Sequence, residues 1–200
     1  MEVRTVGSPQ TLGGTLASAV PESRVCRFSK DGSLFAYATN TDVVVLDASS
    51  GAQLFSFALN RASDLYISPL NSFLATWQRP ENAPKGENLV VFDLRTGERA
   101  TVFSQRSQSH WWPQWSDDET VCVRLGNNGV HFMDGKDLKA GIKSQLQLER
   151  VADIQLAPGS APHKLAVFVP EKNVRALLEN CRELSIHFLR RARLPLCAST

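Results

Sequence analysis

Apolar residues along this chain fall in short alternating runs broken by turn-forming residues, and one frame recurs. "FSKDGSLFAYA" starts at Phe28, "ISPLNSFLATW" at Ile67 and "WSDDETVCVRL" at Trp115. Each has an apolar residue, a serine, two or three turn formers and a strand-like run. "LAPGSAPHKLAVFV", from Leu156, keeps the frame but puts Ala157 where the others have serine. The starts lie 39, 48 and 41 residues apart. A second pattern sits inside each interval. In "VVVLDASSGAQLFSF" and "LVVFDLRTGERATVF" an apolar run ends in aspartate, a turn closes on glycine, and a second run follows. Asp47 and Gly51 return as Asp93 and Gly97; "VHFMDGKDLKAGIKSQL" keeps Asp134 but loses the spacing. Aspartate accepts from backbone amides two residues on and glycine tolerates positive φ, so both patterns predict hairpins.

Four short strands per unit follow. The first unit is predicted at 24–28, 34–38, 43–47 and 53–58, the second at 65–68, 73–77, 89–94 and 99–103. The third is predicted at 113–116, 121–125, 130–133 and 142–148. A fourth begins at 151–156 and 164–169. Four strands every forty-odd residues is the arithmetic of a β-propeller blade, and helical patterns that would signal βα units are missing between the strands. The expectation is an all-β, partial propeller of about three four-stranded blades plus an incomplete fourth. After Glu171 the pattern lapses, and "VRALLENCRELSIHFLRRARLPLCAST" is read as a short helical or disordered tail. The expected limits are an N-terminal extension or strand at 1–23, the partial propeller at 24–172 and a divergent basic tail at 173–200.

The frame also settles the aromatic stretch "HWWPQWSDDETVC". Trp115 takes the place of Phe28 and Ile67, so it belongs to the core of an innermost strand. "SDDE" takes the place of "SKDG" and is a turn, not a catalytic acid cluster. Trp111 and Trp112 have no counterpart in the other units, so at least one is expected at the surface and available for binding.

Composition narrows the function classes. The 200 residues are 42% hydrophobic and 21% charged, which suits a folded domain. No apolar run reaches membrane-span length, and residues 1–20 lack the apolar stretch of a secretory signal. The four cysteines form no C-x-x-C pair, which suits free thiols in a reducing, cytoplasmic setting. The net charge of +2 divides into +3 from Val174 onward and −1 before it, so the folded part carries no general basic field for nucleic acid. No nucleophile elbow or phosphate-cradling glycine loop occurs, and histidines 110, 131, 163 and 187 lack metal-ligand spacing. The reading is a non-enzyme with no cofactor and no metal. In a propeller the loops after the second and fourth strands of a blade emerge on one face. Those loops hold Arg61, Arg79, Lys85, Arg106 and His110, which with Trp111 and Trp112 make a candidate face for RNA or protein.

"FSKDGSLFAYATNTDVVVLDASSGAQLFSF", "LATWQ" before a polar loop and "WPQWSDDETVC" resemble the N-terminal, WD-repeat-like propeller of eukaryotic translation initiation factor 2A, over roughly residues 24–172. That resemblance implies delivery of initiator methionyl-tRNA to the small ribosomal subunit without GTP, including at non-AUG starts. The implied partners are the small subunit, initiator tRNA, mRNA and other proteins through the propeller face, with no membrane. The resemblance also implies many more blades than are present here, so the chain is expected to be impaired in that role. The alternative is a propeller fragment that serves as a general protein-interaction scaffold outside translation.

Overall fold

A computed structural model describes residues 25–105, 111–126, 129–148, 150–159, 161–169, 174–179 and 185–189. Among the described residues sixteen strands form four antiparallel four-stranded meanders. The first holds β1 (Cys26–Phe28), β2 (Leu34–Ala38), β3 (Asp42–Asp47) and β4 (Gln53–Ala58). The second holds β5 (Ala62–Ile67), β6 (Phe73–Gln78), β7 (Leu89–Asp93) and β8 (Glu98–Phe103). The third holds β9 (Gln114–Trp115), β10 (Val121–Gly126), β11 (Gly129–Asp134) and β12 (Ile142–Leu146). The fourth holds β13 (Asp153–Leu156), β14 (Lys164–Val169), β15 (Val174–Glu179) and β16 (Ser185–Leu189). These are blades of a partial WD-repeat-like propeller.

The fourth sheet corrects the expected tail. Val174–Glu179 pairs along β14 from Val169↔Val174 to Lys164↔Glu179, and Ser185–Leu189 pairs along β15, so blade four is complete. "RALLE" has good helix formers, but propensity is a weak prior, and the edge of β14 supplies a full row of backbone partners.

Local chemistry sets each turn. Between β1 and β2 the Ser29 hydroxyl donates to Asp31 Oδ1 at 2.6 Å, the Ser33 amide donates to the same oxygen at 3.1 Å, and the Leu34 amide donates to Ser29 Oγ at 2.9 Å. Ser116, Asp118, Thr120 and Val121 repeat this between β9 and β10 at 2.6, 3.1 and 3.1 Å. Ser68 keeps the last bond, to the Phe73 amide at 2.9 Å. In the outer hairpins the Gly51 and Gly97 amides donate to the Asp47 and Asp93 carbonyls, with φ of 70° and 74°. A register shift falls two residues before each hairpin aspartate, at Val45, Val91 and Phe132. Such a bulge bends the strand and raises its twist.

Alternation gives every sheet two faces. Leu74, Val90 and Phe92 pack on Ala36, Val43, Val45 and Phe57 of blade one, while Phe73, Ala75, Trp77 and Val91 pack on Trp115, Cys122 and Met133 of blade three. Val123, Val130 and Phe132 meet Ile154, Leu165 and Val167 of blade four. Burying one such side chain contributes about 1.5–3 kcal/mol. On the side of blade one away from blade two, Phe28 is 61% exposed, and on the far side of blade four Phe168 is 41% exposed.

Candidate functional site

Strand direction sorts the loops onto two rims. The β4–β5 and β6–β7 loops share one rim, together with the residues after β8 and the β10–β11 hairpin. A run of side-chain amides crosses this rim. Gln78 Nε2 donates to the Asn60 carbonyl. Asn88 Nδ2 donates to the carbonyls of Gln78 at 3.1 Å and Gln105 at 2.7 Å, and Asn88 Oδ1 accepts from the Gln105 amide at 2.7 Å. Gln105 Oε1 accepts from Arg124 Nη2 at 3.1 Å. The ladder thus runs from the end of blade one to blade three. Gln78, Asn88 and Arg124 are buried.

Arg61, Arg79 and Lys85 sit on this rim, exposed, in the β4–β5 and β6–β7 loops. Arg61 and Lys85 hold positive φ, 50° and 57°. None of the three forms an ion pair with a described residue. Arg106 and His110 lie outside the described residues.

The tryptophan pair belongs elsewhere. Trp111 is 2% exposed and its indole N–H donates to Asp64 Oδ2 at 2.9 Å, while Trp112 is 38% exposed. Both line a cavity of about 480 Å³ beside the innermost strands β1 and β5, with Arg27, Phe28, Lys30, Tyr66 and Pro69. Arg27 reaches Asp64 Oδ1 at 3.3 Å, and Lys30 reaches Asp117 at 2.6 Å. The predicted face therefore divides: three cations lie on the rim, and the tryptophans lie on the inner side. Trp115 is core, stacked on Phe73 and Tyr66 with ring centroids 5.8 and 5.9 Å away.

Sequence reasoning missed Arg124. It stands in the buried run "VCVRLG", where a lone cation among apolar residues was the available signal. Its guanidinium carbon lies 4.2 Å from the Phe103 centroid. Burial pulls its pKa down to about 10, so it stays charged at neutral pH. Across the ladder from it His131 is half-buried; burial, and then Arg124, lower its pKa.

The other rim is pinned blade to blade. Asn71 Nδ2 donates to Asp31 and Ser33 at 3.0 Å, and the Leu70 amide donates to the buried Glu119 carboxylate at 2.7 Å. Asp117 accepts from the Gly159 amide at 2.6 Å, and Thr120 Oγ1 lies 2.9 Å from His163 Nε2. Among the described residues no helix is long and apolar enough to cross a membrane.

Comparison with known proteins places this geometry. The chain is 39% identical over 160 residues to "Eukaryotic translation initiation factor 2A" of Schizosaccharomyces pombe, covering 78% of this chain and 27% of the relative. It is 31% identical over 160 residues to the protein of that name in Dictyostelium discoideum, covering 76% and 26%. This chain is a relative of eukaryotic translation initiation factor 2A. It matches a fragment of the N-terminal region of those factors and spans about a quarter of their length. A crystal structure of "the eukaryotic initiation factor" superimposes with a TM-score of 0.73 at 35% identity, over 87% of this chain and 46% of that one. The WD40 repeats of RRP9 superimpose at 0.53 with 11% identity, which supports the fold alone. No protein-family model matches the chain.

Proposed function

We propose that the chain acts in translation initiation, in the cytoplasm, with its propeller as a docking platform for RNA and protein. The supporting observation is the 39% identity to initiation factor 2A over 160 residues. In finer terms, we infer that it contributes to GTP-independent delivery of initiator methionyl-tRNA to the small ribosomal subunit, including at non-AUG codons. Its partners in that reading are the small subunit, initiator tRNA and mRNA. The contact residues we assign are Arg61, Arg79, Lys85, Arg106 and His110, with Trp111 and Trp112 on the inner side.

The 200 residues tested alone are expected to bind small subunits or initiator tRNA much more weakly than a full-length relative. They span about a quarter of such a relative and leave Phe28 and Phe168 exposed on their two flanks. Repeat arrays draw stability from neighbour interfaces, so uncovered flanks weaken both fold and binding surface. Sedimentation with purified small subunits, beside the full-length Schizosaccharomyces pombe factor, is the test. Equal affinity in the two forms would overturn the expected weakness, and no association of either form would overturn the role. The cavity lined by Phe28, Tyr66 and Trp112 favours a second reading, a protein-interaction scaffold outside translation. An apolar peptide side chain would fill it.

A further inference from the structure

Arg124 is 5% exposed, yet no carboxylate among the described residues pairs with it. Nη2 is taken by Gln105, the ring of Phe103 covers one face, and Nε is sealed without a partner. Only Nε is both sealed and unbonded, so Nη1 keeps some access to solvent. His131, its cross-strand neighbour, has Nδ1 sealed and unbonded as well. The ring of His131 lies over Gly126, where a Cβ would collide with it. A buried cation without a counter-ion is costly, and packing on Phe103 alone would be served as well by an uncharged chain. In this low-dielectric wall its field on an incoming anion is little screened.

We propose that Arg124 and His131 form an anion subsite that takes one phosphate group of an RNA strand lying across this rim. The inference rests on the RNA reading of the rim given above and names the contact that reading lacked. Gln105 takes one of the two Nη2 hydrogens and burial seals Nε, so the open N–H groups lie on the Nη1 side, from which a phosphate oxygen can accept. A second phosphate oxygen can accept from the imidazole. Arg61 in the β4–β5 loop and Arg79 and Lys85 in the β6–β7 loop lie on the same rim, and cations spread over two loops suit an extended polyanion better than one compact acidic group.

The test is fluorescence anisotropy with a single-stranded RNA of about 20 nucleotides, between about 50 and 200 mM salt. Arg124→Gln should weaken binding about tenfold and flatten the salt slope by about 0.7, the share of one phosphate contact on a single strand. Arg124→Lys should keep the slope. Lys139→Gln, on the opposite rim, should change neither. Should Arg124→Gln fail to fold, inorganic phosphate titrated into the wild-type chain decides: the pKa of His131, followed by proton NMR, should rise. An unchanged slope in Arg124→Gln, no response of His131, or preferential binding of a polyglutamate peptide would overturn the proposal. Arg124-dependent RNA binding without association with small subunits would sink the role in initiation and leave the subsite standing. Association with small subunits, and a salt slope indifferent to Arg124, would sink the subsite alone.

Discussion

Asp118 carries much of one turn on a single carboxylate. Burial raises its pKa, but hydrogen bonds from Ser116 and Thr120 outweigh that and bring it to about 2, below the ordinary 3.8. A lowered pKa in the folded state means a contribution that is complete above about pH 4 and lost as pH falls toward 2. Asp118→Ala should therefore destabilise the chain by about 1 kcal/mol at neutral pH, the usual net worth of such bonds on a half-buried group. The gap in Tm between wild type and variant should close between pH 4 and pH 2. A gap that persists unchanged to pH 2 would show that the carboxylate is not what caps this turn.

The β10–β11 hairpin depends on a missing side chain. Gly129 has φ of 129°, and a Cβ there would overlap the Leu146 carbonyl oxygen on the neighbouring strand. Gly141 also has positive φ, 78°, but opens onto free space. Gly129→Ala should cost about 2 kcal/mol or more and Gly141→Ala about 1 kcal/mol, because only the first adds collision to strain. Thermal melts of the two variants should rank in that order; equal losses would put the whole cost in the backbone angle. Elements of this kind were largely legible beforehand. The Ser-x-Asp frames and Asp–Gly hairpins act within five residues, so strands β2 and β4 fall where the pattern put them, and β14 does so on its own alternation. Blade four's outer strands were not legible, because their ladder partner rather than their own composition decides their state. The amide ladder was illegible for a related reason. Asn60, Gln78, Asn88 and Gln105 are ordinary loop-edge residues in sequence, and only the fold brings them into line. The tryptophan pair shows the limit at the site: nothing local separated Trp111, tied to Asp64, from the exposed Trp112.

At the scale of the molecule, adjacent blades share both an apolar interface and polar links between their turns. The pins from Asn71 to Asp31, from Leu70 to Glu119 and from Gly159 to Asp117 step across all three interfaces in turn. Repeat arrays lose cooperativity when neighbour coupling is weak, and coupling of two kinds at every interface opposes that. Urea unfolding followed by far-UV circular dichroism and by tryptophan emission should therefore give one coincident transition; two separated midpoints would show that blades melt one by one. The comparison is informative because of where the indoles lie. Three of the four tryptophans, Trp77, Trp111 and Trp115, are buried in the core between blades two and three. Dichroism samples every strand, whereas the intrinsic emission of this chain is an optical probe of one seam in the middle of the arc, already in place without a label.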